Sequence, residues 1–214
     1  MHKFQLILLV FLLPFGGIAQ VYSFSDGEKT HRIFLDENYL IETVFKTDDG
    51  FFVLSRGGFY TSDNGSYNVQ FEFNSNFEKD RLSTKKYDHK ENWKDISFPN
   101  QNLEGKWLMA GRVKPEGEQR RDITSSRKTM KILLNGYFQW IAFDTANMSF
   151  KGSGGGTYTA KEGAYVETLD YFSRDPEKVG KILPFEYKQK QNDWYHKGYT
   201  SKGAPMHEIW HKRN

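Results

Sequence analysis

The chain has 214 residues, of which 30 are Lys or Arg and 27 are Asp or Glu, so its formal net charge is +3. Because the two signs are mixed along the chain, the composition argues against a nucleic-acid-binding surface, which needs clustered Lys and Arg. The absence of cysteine excludes disulfides and thiolate chemistry. Phe, Tyr and Trp make up 16% of the residues, and aromatic residues favour β-strands.

Residues 1–19 have the pattern of a secretory signal peptide. A basic start that includes Lys3 is followed by an apolar run over residues 6–15, and small residues at Gly17 and Ala19 precede the expected cleavage point. The apolar run is shorter than the ~20 residues that span a bilayer. The sequence therefore predicts export to the periplasm or the extracellular space, with no transmembrane segment.

Residues 20–100 contain short alternating segments that predict a first β unit. The expected strands are Thr30–Leu35, Tyr39–Lys46, Phe51–Ser55, Phe59–Thr61 and Tyr67–Phe73. In the last of these, alternation predicts that Tyr67, Val69, Phe71 and Phe73 share one buried face. After Phe77 the alternation fades, so the end of this unit looks shortened.

A linker is predicted at Pro99–Asn102, and residues 101–214 form a second β unit. Its expected strands are Trp107–Val113, Met130–Leu134, Phe138–Asp144, Met148–Gly152, Thr157–Ala160, Tyr165–Ser173, Ile182–Lys190, Asp193–Tyr199 and Met206–His211. The charged segment Arg112–Thr129 is predicted to be largely a loop. Only Pro176–Gly180 could form helix, and at most one turn of it.

The two units share residues at a constant offset of 98 positions. The identities include Gly57 with Gly155, Gly58 with Gly156, Tyr60 with Tyr158, Thr61 with Thr159 and Tyr67 with Tyr165. An offset of this size is longer than the ~20–50 residues of a solenoid repeat and matches a small domain. We interpret the chain as two tandem copies of one unit, of which the second is better preserved.

Many short strands separated by Gly and Asn turns predict an all-β protein built from antiparallel up-and-down β-barrels. The run Gly154–Gly156 predicts a bulge or a sharp bend in a barrel strand. Two arrangements of the first unit stay open: it closes as its own barrel, or it packs against the second unit as a partial barrel.

Several motifs of the second unit resemble a known family. They are Gly105-x-Trp107, Phe138–Ala142, Gly154–Tyr158, Asp170–Asp175, Trp194–Gly198, Glu208–Trp210 and the basic Arg213 near the end of the chain. Together they resemble exported bacterial lipocalin-like (calycin-type) proteins of unknown function. The resemblance implies a barrel whose first-strand Trp packs across the bottom near an Arg from the chain end, and it implies no ligand or reaction.

Strand alternation places polar and aromatic residues on the expected inner face of the second barrel, although Trp140 falls on the opposite face from Gln139. We predict a non-enzymatic binding protein whose small, apolar or amphipathic ligand contacts Tyr137, Gln139, Trp140, Tyr158, Tyr165, Glu167, Arg174 and His196. No cofactor or metal is predicted. At the offset of 98, Val69 and Glu42 stand in place of Glu167 and Trp140, so we expect the first unit to bind nothing.

Two other functions remain as alternatives. A structural or protein-partner-binding role would place an exposed aromatic patch on the outer faces of the sheets. An isomerase or hydrolase would use Glu167 as a general base and His196 as a general acid. A metal site at Glu167, His196 and Glu208 is less favoured, because their spacing matches no known metal signature.

Overall fold

The computed structural model describes residues 19–98, 101–200 and 203–214. This part of the chain is all-β, with two large antiparallel sheets and two single-turn helices. Neither helix has the length or the apolar content needed to cross a bilayer. The predicted signal peptide, apart from Ala19, and Pro99 and Asn100 of the predicted linker lie outside the described residues.

The first sheet is built from the seven strands at the start of the chain. They are β1 Gln20–Asp26, β2 Lys29–Leu35, β3 Tyr39–Lys46, β4 Phe52–Asp63, β5 Ser66–Asn74, β6 Thr84–Asp88 and β7 Lys94–Asp95, with helix α1 Phe77–Asp80 between β5 and β6. The strand order is β6-β5-β4-β3-β2-β1-β7. Since β6 and β7 are the two edges, this sheet does not close on itself within the described residues.

The second sheet is a closed eight-stranded antiparallel barrel. Its elements are β8 Gly105–Lys114, β9 Gly117–Arg120, β10 Arg127–Leu134, β11 Tyr137–Asp144, β12 Ser149–Lys161, β13 Ala164–Phe172, the 3₁₀ turn Pro176–Lys178, β14 Ile182–Lys190, β15 Asp193–Tyr199 and β16 Pro205–Arg213. Strand β8 pairs with both β16 and β10, which closes the ring. The short β9 forms a hairpin on β8 outside the ring. The predicted all-β class and the closed antiparallel barrel are confirmed.

The observed strands differ from the predicted ones mainly at the glycines. Strands β4 and β12 each run without a break through a stretch predicted as two separate strands, because the Gly pairs bend the strand and do not end it. The sequence analysis missed β1, β6, β7, β9 and α1. All of these except the seven-residue β1 are short, and most of their side chains are polar, so alternation gives them little signal.

Five strands of the first sheet, β2 to β6, correspond to β10 to β14 of the barrel at the offset of 98. Strands β3 and β11 begin at Tyr39 and Tyr137, and β5 and β13 have equivalent bounds. The register of strand pairing corresponds as well. Tyr67 pairs with Tyr87 in the first sheet, and the residues 98 positions later, Tyr165 and Phe185, pair in the barrel. Within the described residues the first sheet has no strand equivalent to β15, and the two-residue β7 beside β1 stands where β16 lies beside β8 and completes the ring.

A β-bulge in each sheet corrects one part of the predicted faces. Register shifts fall between Gly57 and Gly58 and between Gly155 and Gly156. Each bulge adds one residue to the partner strand, so the residues beyond it change face. Tyr171 and Phe73 were expected on the inner faces with Leu169 and Phe71. They lie between the two sheets instead, where Tyr171 stacks on Phe45 and Phe73 packs on Phe143.

One face of the first sheet packs against the outside of the barrel. The shared core contains Val21, Phe34, Tyr39, Ile41 and Phe73 from the first sheet and Leu108, Met130, Ile132, Leu134, Tyr137, Ile141 and Phe143 from the barrel. Two ion pairs flank this core: Arg213 Nη2 lies 2.7 Å from Glu72 Oε1, and Arg32 Nη1 lies 2.8 Å from Asp170 Oδ2. The two sheets therefore share one hydrophobic core.

Candidate functional site

The floor of the barrel, where β8 begins, is closed by aromatic side chains. Trp107 is buried, its indole N–H donates to the Leu103 carbonyl at 2.7 Å, and its ring packs edge-on against Trp194. The cation over Trp107 is Lys212, whose Nζ lies 4.7 Å from the ring centroid. The family resemblance predicted Arg213 near Trp107. Alternation along β16 instead turns Arg213 outward, toward the first sheet.

A buried ion pair occupies the middle of the barrel. Lys131 Nζ lies 2.5 Å from Glu167 Oε1, and both side chains are about nineteen-twentieths buried. The Tyr165 hydroxyl also donates to Glu167 Oε1, at 2.8 Å. The rings whose centroids lie within 6 Å of the Lys131 ammonium belong to Phe138, Tyr165, Phe185, Trp194 and Trp210. The carboxylate that the sequence placed inside the barrel is therefore paired and hydrogen-bonded, as a buried charge requires.

His196 lies beside this pair and is 1% exposed. Its ring centroid is 4.2 Å from that of Phe185 and 5.0 Å from that of Trp194. Burial, assisted by the positive charge of Lys131, lowers the pKa of His196 to about 4. The imidazole is therefore neutral at physiological pH. Among the described residues, neither ring nitrogen has a hydrogen-bond partner.

The opposite end of the barrel, where β8, β11, β13 and β15 end, is here called the mouth. On its inner face, Trp140 and Phe172 are half-buried and pack together with ring centroids 5.6 Å apart. Gly154 lies between them in the register, and a Cβ there would come within 2.6 Å of Trp140 Nε1 and 2.7 Å of Phe172 Cδ2. The absence of a side chain at Gly154 therefore allows the two rings to meet. Arg174 covers this pair, with its guanidinium 5.2 Å from the Trp140 ring.

A cleft of about 650 Å³ opens on the other side of the mouth. Its lining includes Arg112, Gly198, Met206 and Glu208. Glu208 Oε1 lies 3.8 Å from Arg112 Nη2, and Glu208 Oε2 lies 3.8 Å from His196 Nδ1. Both separations are too long for direct hydrogen bonds. Glu208 thus connects the exposed cleft with the buried imidazole.

The structure separates the predicted contact residues into three places. Tyr158, Tyr165, Glu167 and His196 lie in the barrel interior, and Trp140 and Arg174 lie at the mouth. The placement of Tyr137 and Gln139 inside the barrel is corrected, since both side chains lie in the interface with the first sheet. The Tyr137 ring faces the Arg32 guanidinium at 4.7 Å.

Gln139 forms a buried hydrogen-bond hub between the two sheets. Its Nε2 donates to Ser55 Oγ and to Ser153 Oγ, both at 2.9 Å, and its Oε1 accepts from Thr43 Oγ1 at 2.9 Å. Gln139 itself has no exposed surface. Its role in the structure is therefore to join the two sheets.

The interior geometry bears on acid–base and metal chemistry. The Glu167 carboxylate accepts hydrogen bonds from Lys131 and Tyr165, and the residue is 4% exposed. In the described ranges, no three His, Asp or Glu side chains come together closely enough to hold a metal ion. The geometry is that of a polar pair held in an aromatic environment, with its open aromatic surface at the mouth.

Lys131 is the functional residue that the sequence analysis missed. It lies in a strand whose neighbours Met130, Ile132 and Leu133 are fully buried. A lysine in the middle of so apolar a strand is a signal of a buried charge. Residues two apart in a strand share a face, so Lys131 is expected on the same face as Leu133. That is the inner face, which also carries Glu167.

The comparisons with known proteins give no family. No protein-family model matches the chain, and no curated protein matches it.

Proposed function

We propose that this protein is an exported, non-enzymatic binding protein for a small, partly apolar ligand, which it holds at the mouth of the barrel. The observation that carries the proposal is the half-buried pair of Trp140 and Phe172 on the inner face of the mouth. Ligand sites are commonly apolar and aromatic, with a few polar groups that orient the ligand. Arg174 and the Arg112–Glu208 pair are such groups.

The ligand position differs from the one expected from alternation alone. Below Trp140 and Phe172, the interior is occupied by the Lys131–Glu167 pair and its surrounding rings. A ligand on the mouth needs no displacement of that pair. The 650 Å³ of the adjoining cleft lies within the ~300–1,000 Å³ of typical ligand pockets.

We further propose that the chain is a lipocalin-like protein with two tandem copies of one unit, the first of which has lost its closing strands. The equivalent strand bounds and bulges support this proposal. In the first sheet, Glu42 stands in the place of Trp140 and Arg56 in the place of Gly154. These two residues form an ion pair, with Arg56 Nη2 2.7 Å from Glu42 Oε2. That ion pair fills the equivalent position, which supports a ligand site in the second copy alone.

Export is part of the proposal and rests on residues 1–19. Fractionation of cells that produce the whole chain tests it, with mass spectrometry of the mature N-terminus. A mature protein that begins at Gln20 in the periplasm or the medium is expected. A protein that stays in the cytoplasm with residues 1–19 attached contradicts it.

The binding site is tested with the fluorescent probe anilinonaphthalene sulfonate, which has an apolar ring system and one anionic group. We expect saturable binding that Trp140→Ala weakens about tenfold, equivalent to about 1.4 kcal/mol. The matched control is Phe51→Ala, which removes an aromatic side chain that is 49% exposed and lies in the connection between β3 and β4. Equal binding by the wild type and Trp140→Ala would place the site elsewhere.

A structural or partner-binding role is the second candidate. The observation that favours it is the filled barrel interior, since such a barrel can serve as a rigid scaffold. Exposed apolar side chains on its surface include Ile182 and Tyr199, with 66% and 65% of their surface exposed. A thermal-shift screen of small apolar molecules in which none raises Tm would favour this candidate.

A further inference from the structure

A second cleft, of about 710 Å³, lies where helix α1 of the first sheet meets the turn between β11 and β12 of the barrel. Its lining is Asn74–Lys79, Arg81 and Thr145–Lys151. We propose that this inter-sheet cleft binds an anionic saccharide, a sugar that carries a sulfate or carboxylate group. The proposal is independent of the ligand at the barrel mouth.

The charge of the cleft points to an anion. Its rim carries three cations, Lys79, Arg81 and Lys151, and one carboxylate, Glu78. Among the described residues, none of the three cations has a carboxylate oxygen within the 4.0 Å of an ion pair. All three side chains are exposed to solvent. The charge of Asp144 offsets part of that of Lys151, and the excess of positive charge around this concave surface favours an anionic ligand.

The nearest additional carboxylate is already engaged. Asp80 Oδ1 accepts hydrogen bonds from Asn74 Nδ2 at 2.9 Å and from the Leu82 backbone N–H at 3.0 Å. Its other oxygen lies 4.0 Å from Arg56 Nη1. Asp80 is therefore oriented toward the first sheet and away from the rim cations.

The floor of the cleft offers free hydrogen-bonding groups. Ser149 Oγ is buried and has no hydrogen-bond partner among the described residues. Asn76 lies at the start of α1, yet its side chain makes no capping hydrogen bond. Buried polar groups are rarely left unpaired in folded proteins. The hydroxyl groups of a sugar can donate to and accept from the Asn76 side-chain amide, whereas Ser149 Oγ has almost no accessible surface and is not counted as a ligand contact.

The two walls combine aromatic surface with fixed backbone. Phe77 and Phe150 are half-buried in the lining, and Phe150 stacks on Phe52 with centroids 5.4 Å apart. Aromatic faces beside a few polar groups are the usual composition of a ligand pocket. Arg81 and Met148, one in each wall, have φ angles of 55° and 53°. Arg81 is the C-cap of α1 and Met148 lies in the turn before β12, so a turn of defined backbone conformation borders each wall.

Isothermal titration of the whole chain with a sulfated disaccharide tests the proposal. The parallel titration uses the same disaccharide without sulfate. We expect saturable binding of the sulfated sugar only, and we expect Lys79→Gln combined with Lys151→Gln to weaken it by at least about tenfold.

The matched control is Lys161→Gln combined with Lys188→Gln, which removes the same charge from exposed positions outside the cleft. This control is expected to bind the sulfated sugar like the wild type. The proposal is overturned if the wild type does not bind the sulfated sugar or binds both sugars equally. An equal loss in the control and the cleft variant also overturns it, because the attraction would then be nonspecific.

Discussion

Lys131 and Glu167 form a 2.5 Å ion pair inside the barrel at the two positions where the first sheet has Ile33 and Val69. The exchange runs the other way on the two strands that lie between these, since the first sheet has the ion pair of Glu42 and Arg56 on β3 and β4 where the barrel has Trp140 and Gly154 on β11 and β12. Each sheet thus places a buried charge pair on its inner face, but on strands that are not equivalent. The barrel keeps its aromatic surface at the mouth because its charges lie deeper.

The interior pair gives the first prediction. Glu167→Gln alone leaves the Lys131 ammonium without its counter-charge, and should lower the free energy of unfolding by about 3–5 kcal/mol. Replacing the polar set together, as Lys131→Met, Glu167→Leu and Tyr165→Phe, should cost less than the single change, because no buried charge or hydroxyl remains unpaired. Urea denaturation measures both. A combined variant less stable than Glu167→Gln contradicts the prediction.

His196 gives a pH dependence. Its pKa is about 4 in the folded protein, below the ~6.5 of an unfolded chain, so the unfolded state binds more protons between these values. Stability should therefore be complete above about pH 6.5 and fall as the pH drops toward 4, by up to about 3 kcal/mol. Urea denaturation from pH 4 to 7 should show a smaller slope for His196→Gln. The control His207→Gln, on the outer face beside Tyr195, should keep the wild-type slope.

The hydrogen bonds of Gln139 give a prediction about how much the interface between the two sheets contributes to stability. Gln139→Leu removes its hydrogen bonds to Ser55, Ser153 and Thr43 in a buried interface. The expected loss is about 1–3 kcal/mol in the free energy of unfolding. Gln119→Leu, on the exposed strand β9, should change it by less than about 0.5 kcal/mol. Equal effects of the two substitutions would show that the hub contributes nothing.

The bulge glycines give a matched pair of predictions. A Cβ at Gly58 would overlap the Gln70 carbonyl oxygen, and one at Gly156 would overlap the Thr168 carbonyl oxygen. Because backbone atoms cannot move aside cheaply, Gly58→Ala and Gly156→Ala should each cost at least about 3 kcal/mol. Gly198→Ala should cost less, since its nearest neighbour is the Phe185 side chain. Thermal denaturation ranks the three variants, and a Gly198 variant with the lowest Tm would contradict this account.

The sequence by itself determined the strands and their repetition. The period-2 pattern of Tyr39–Lys46, Ile182–Lys190 and Asp193–Tyr199 predicted these strands with the bounds that are observed. The Gly and Asn turns and the offset of 98 predicted an all-β chain with two equivalent halves. These features are local, because alternation and turn chemistry depend on residues that are neighbours in the chain.

The tertiary structure decided which face is the inside and which residues meet. Bulges at Gly155 and Gly156 turned Tyr171 outward, a change that alternation cannot register because it assumes an unbroken period of two. Gln139 is on the outer face, and it is buried only because the first sheet covers the barrel there. Strand alternation says which residues share a face, but it does not say what that face packs against. In the barrel strands that contact the first sheet, one face is buried inside the ring and the other is buried against the first sheet. Only the assembled tertiary structure shows which of these two buried faces is the barrel interior and which is the interface.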